Sequence, residues 1–85
     1  MHSELLREIF CLIPESTKVL SFSADKSSIN MECESITVED VIFLLTALKK
    51  IDLIEETDTT EIRSQQNSKY SYTVICKFKD VNLFE

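Results

Sequence analysis

The stretch SINMECESITVEDVIFLLTALKK, residues 28–50, decides the fold, because its apolar period changes part-way along. Over residues 28–34, Ile29, Met31 and Cys33 alternate with Asn30, Glu32 and Glu34, the period of a strand with one apolar and one polar face. From residue 37 the period lengthens to that of a helix. Val38, Val41, Leu44, Leu45 and Leu48 line one side, Ile42 and Ala47 widen it, and Lys49 and Lys50 fall in the last turn, where positive charge suits the helix dipole. Thr37 is the expected N-cap, with Asp40 three residues on as a variant capping box.

On the N-terminal side, residues 18–24 repeat the strand pattern, with Leu20, Phe22 and Ala24 on one face and Val19, Ser21 and Ser23 on the other. Asp25-Lys26-Ser27 between the two runs predicts a tight turn and a hairpin. Residues 3–12 predict a helix capped by Ser3, with Leu5, Leu6, Ile9 and Phe10 facing inward; Pro14 stops it by disfavouring helix at Ile13. On the C-terminal side, residues 54–63 form a Thr-rich, acidic run that suits a solvated edge strand. A polar loop follows, and then residues 69–79 alternate cleanly through Tyr70, Tyr72, Val74, Cys76 and Phe78. The expected order is αββαββ: a ferredoxin-like α+β two-layer sandwich, with two helices on one face of a four-stranded, mainly antiparallel sheet.

With 85 residues, 44% of them apolar, the chain supports a single domain and a single core. Its net charge of −6 opposes nucleic-acid binding, which draws its affinity from Lys and Arg displacing counterions. Acid concentrates in Asp52, Glu55, Glu56, Asp58 and Glu61, a solvated face or a docking edge for a basic partner. Three cysteines without CxxC spacing, Cys11, Cys33 and Cys76, occupy positions expected to be apolar and predict buried thiols. No metal site or cofactor is expected: the single histidine is His2, and zinc needs several spaced ligands. With no base placed to activate a nucleophile, no enzyme is expected either. Glu32 and Glu34, the pair of acids that could be proposed for acid–base work, fall on the solvated face of the hairpin. No run reaches the ~20 apolar residues of a membrane helix.

Four segments carry a family resemblance: Leu12-Ile13-Pro14-Glu15 closing a helix, Val19-Leu20-Ser21-Phe22-Ser23, Ile29-Asn30-Met31-Glu32-Cys33, and residues 35–48 with their paired leucines. Together they resemble the extracytoplasmic ferredoxin-like domain of PilN-like proteins, inner-membrane platform components of type IV pili. Where that family often has a glycine after the second strand, this chain has Glu34. Residues 69–78 match only a generic final strand. The relatives PilO and the GspL-type secretion domains share the pattern.

The resemblance implies a non-catalytic assembly domain that dimerises with itself or with a PilO-like partner. It also implies that the domain belongs to a longer single-pass protein of the inner or plasma membrane, on the extracytoplasmic side, with a short cytoplasmic segment, one membrane helix and a coiled-coil stretch upstream. The sheet face away from the helices is then expected to offer Val19, Asn30, Glu32 and Ile75 to a partner, and the Thr-rich edge to offer Thr57 and Thr59 for strand addition. The alternative is a small soluble acidic protein that binds and inhibits a basic protein.

Overall fold

A computed structural model describes residues 3–79, with side chains from Leu5 onward. The N-cap role of Ser3, the His2 position and the tail from Val81 lie outside what is described. The elements in chain order are α1 (Ser3–Cys11), β1 (Lys18–Ala24), β2 (Ser28–Ser35), α2 (Val38–Lys49), β3 (Ile54–Thr59), β4 (Arg63–Ser64) and β5 (Tyr70–Phe78). The sheet runs β1-β2-β5-β3, with β4 also on β5, and every pairing is antiparallel. The fold class is α+β, as the periodicities predict.

One face of the sheet is apolar. Ile29, Met31 and Cys33 on β2 stand opposite Cys76, Val74 and Tyr72 on β5, and all six are buried. Leu5 and Ile9 of α1 and Val41, Leu44 and Leu48 of α2 join them in a single core, so both helices cover this face. α2 packs mainly over β3. α1 sits toward β1, where the Phe10 and Phe22 rings meet with centroids 5.4 Å apart, a favourable tilted contact. α1 ends where β1 begins and α2 starts where β2 ends, and those two strand ends are paired (Lys18 opposite Glu34). The helices therefore run antiparallel.

Local chemistry sets the boundaries. Past Cys11 the backbone tightens through Leu12 N–H to Ile9 O (3.1 Å) and Ile13 N–H to Phe10 O (3.3 Å) before Pro14. Asp40 N–H donates to Thr37 Oγ1 at 3.1 Å, the expected cap of α2. The Asp40 carboxylate instead accepts from Ser16 Oγ in the α1–β1 loop, so the predicted box is half formed and a tertiary link takes its other half. In a chain without glycine the hairpin turn is made by Asp25, whose Oδ1 accepts from the backbone N–H groups of Ser27 and Ser28, both at 2.8 Å. Those bonds hold its carboxyl below the usual range. Ser68 takes the one positive φ among the described non-glycine residues, 67°, at the turn before β5.

Three expectations are corrected. The sheet has five strands rather than four, because the predicted run 54–63 breaks after Thr59. Thr60 Oγ1 accepts from Thr73 N–H (2.9 Å), a place the backbone ladder would otherwise fill, and pairing resumes only at Arg63. Ile42, expected to widen the core face of α2, is 56% exposed. Cys11 is exposed, while Cys33 and Cys76 are buried as expected.

Candidate interaction surface

Among the described residues one sheet face is left uncovered, and two rows of side chains line up across it. Ser23, Asn30, Ile75 and Asp58 occupy successive register positions from β1 to β3, and Ser21, Glu32 and Thr73 form the next row. All but Asp58 border a shallow depression of about 440 Å³, whose mainly polar lining is broken by a half-buried Ile75 and by Phe22. A neighbouring hollow of about 320 Å³ lies against Leu20, Glu32, Glu61, Arg63 and Thr73. Ion pairs flank the face: Lys69 to Glu34 at 3.5 Å and Lys77 to Glu56 at 3.6 Å. Such partly solvated pairs contribute at most ~1 kcal/mol and serve mainly to shape the local field.

The structure brings together three of the six predicted contact residues, Asn30, Glu32 and Ile75. Val19 is not among them. A β-bulge between Val19 and Ser21 turns Val19 toward the core, opposite Cys33, and leaves Leu20 56% exposed on the outer face. Thr57 also faces inward: it stands opposite Cys76, and its hydroxyl is buried without a well-formed hydrogen bond, making only a weak contact with that thiol. Thr59 is exposed at the end of β3, but its Oγ1 is engaged with the carbonyls of Thr60 and Thr73, both at 3.2 Å. As the outermost strand, β3 still offers backbone groups, along a border made acidic by Glu55, Glu56 and Asp58.

The periodicity missed Leu20. The signal was present in the adjacent apolar pair Val19-Leu20, which cannot both face inward in a regular strand. It also missed a buried chain of hydroxyls, Thr17 Oγ1 to Ser35 Oγ (2.7 Å) and Ser35 Oγ to Tyr72 Oη (2.6 Å), which pins the start of β1 to the ends of β2 and β5.

Chemically, the outer face presents amide, hydroxyl and carboxylate groups around the aliphatic side chains of Ile75 and Leu20, a surface fitted to hydrogen-bonded docking. Burial pushes the Cys33 and Cys76 thiols up to about 11, so both are protonated and weakly nucleophilic at neutral pH. Among the described residues no group of three His, Cys, Asp or Glu side chains is arranged to hold a metal ion. No helix among them is long and apolar enough to cross a membrane. No protein-family model matches the chain, and no curated protein or solved structure matches it significantly.

Proposed function

We propose that this chain is a non-catalytic assembly domain of the PilN kind, which pairs with a PilO-like domain or with itself in an inner-membrane pilus platform. What carries the reading is the connectivity. Two ββ units, each preceded by a helix on the same face, interleave so that the last strand lies between β2 and β3. We read that arrangement as a ferredoxin-like sandwich whose chain starts at its first helix, the fold that the resemblance of residues 12–48 implies. The open sheet face supports an interaction role, with Asn30, Glu32 and Ile75 as its contact residues. The full-length protein would be membrane-anchored, with this domain on the extracytoplasmic side and no cofactor.

The test is titration of the isotope-labelled domain with the soluble domain of a PilO-like protein encoded beside it. Amide shifts centred on Asn30, Glu32 and Ile75, lost in Ile75→Arg, are expected. Absence of a complex at high micromolar concentration overturns the reading. The acidic border of β3 favours a second one, a soluble domain that binds and inhibits a basic protein. Binding through that border would collapse on adding salt, whereas binding through Ile75 would not.

A further inference from the structure

α2 carries a second stripe that the fold does not use. Val41, Leu44 and Leu48 are fully buried. On the opposite side Glu39, Ile42, Phe43, Thr46, Lys49 and Lys50 recur at spacings of three and four, and all six are exposed. The centre of that stripe is apolar, with Ile42 and Phe43 each 56% exposed. Its ends are charged with opposite sign, Glu39 in the first turn and Lys49 and Lys50 at the other end. Beside Phe43 lies a hollow of about 460 Å³ between the two helices, floored by Leu12, Ala47 and Ile51.

We propose that this stripe is a self-association surface on which two copies of the chain pair their α2 helices antiparallel about a two-fold axis. The charge order selects both the occupant and the direction. An antiparallel copy brings the partner's Lys50 to Glu39, and Glu39 of the partner to Lys50, whereas a parallel copy would stack like charges. The axis then crosses the stripe midway between Phe43 and Thr46, and in that geometry the same flank of each helix meets its counterpart. Phe43 of one copy enters the hollow beside Phe43 of the other, where Ala47 leaves room. Apolar groups at the middle and opposite charges at the rim make an isologous seam of about 18 Å, the length of a twelve-residue helix.

A contact that short buries well under about 1,200 Å², so the pairing is weak, with Kd on the order of 100 µM. Weak pairing suffices where copies are tethered close together, since effective concentrations on short tethers reach the millimolar range. The surface is separate from the Asn30–Ile75 face, and its test needs no platform partner.

Sedimentation equilibrium of the chain alone from about 10 µM to 1 mM should show a reversible monomer–dimer equilibrium. Phe43→Lys, at an exposed position, should weaken it at least tenfold with the far-ultraviolet circular dichroism unchanged. Glu39→Lys and Lys50→Glu should each weaken self-pairing, and mixing these two variants should restore dimer, because both rim pairs become complementary again. A chain that stays monomeric at 1 mM overturns the proposal. So does association indifferent to Phe43→Lys, or a mixture of the charge variants that associates no better than either alone.

Discussion

Ser35 holds two neighbours at once. Its side chain is fully buried, and its hydroxyl bonds to Thr17 on one side and to Tyr72 on the other. Three linked hydroxyls polarise one another, and removing the middle one breaks both of its bonds at once, leaving the buried Thr17 and Tyr72 hydroxyls only their weaker contact with each other. Removing the Tyr72 hydroxyl leaves Ser35 still bonded to Thr17. Ser35→Ala should therefore destabilise by about 2–4 kcal/mol and Tyr72→Phe by only about 1 kcal/mol, as measured by urea unfolding. Equal losses would mean that the Thr17–Ser35 bond adds no stability of its own. The same burial, the first cause of its shift, pushes the Tyr72 phenol above its ordinary range.

Among the elements, β1 shows how far a sequence can be read. Its hairpin with β2, the turn at Asp25, the cap of α2 and the closing strand all follow from alternation and turn chemistry that act within a few residues. The bulge that exchanges Val19 and Leu20 is different. It is set by the need to register with β2 while Phe22 meets Phe10 on α1, a contact between separate elements. Thr57 was misjudged for a related reason. A polar residue in a polar run reads as exposed, yet its place opposite Cys76 puts it inside. The open-face residues Asn30, Glu32 and Ile75 were legible because β2 and β5 are regular throughout their pairing. Val19→Ala should cost about 1 kcal/mol through lost packing, whereas Leu20→Ala should stay within about 0.5 kcal/mol. Thermal unfolding of the two variants checks this, and the reverse order would place the bulge elsewhere.

At the scale of the whole molecule, one core holds both helices to one side of the sheet, and two thiols lie inside it. Their pKa values near 11, against an ordinary 9.0, mean that the fold holds these protons more tightly than the unfolded chain does. Stability from this source is complete below about pH 9 and is lost as pH rises from 9 to 11, by a few kcal/mol in total. Urea unfolding at pH 8, 10 and 11 should show that fall, and a flat profile would mean that the thiols see water. Under native conditions Cys11 should react at once with a thiol reagent, and Cys33 and Cys76 only as the molecule opens.

The position of β5 has a consequence for how the protein is made. It is the last strand among the described residues, yet it lies between β2 and β3 and also carries β4. While the polypeptide is still emerging from the ribosome, the first hairpin and α2 can form, but β3 has no neighbour to pair with. The sheet can close only after Phe78 has left the exit tunnel, so folding comes as a late, concerted step. A stalled or truncated product ending before Tyr70 would expose Ile29, Met31 and Cys33 together along a strand paired on one edge only. Such fragments should be captured by chaperones or degraded rather than persist as partly folded intermediates.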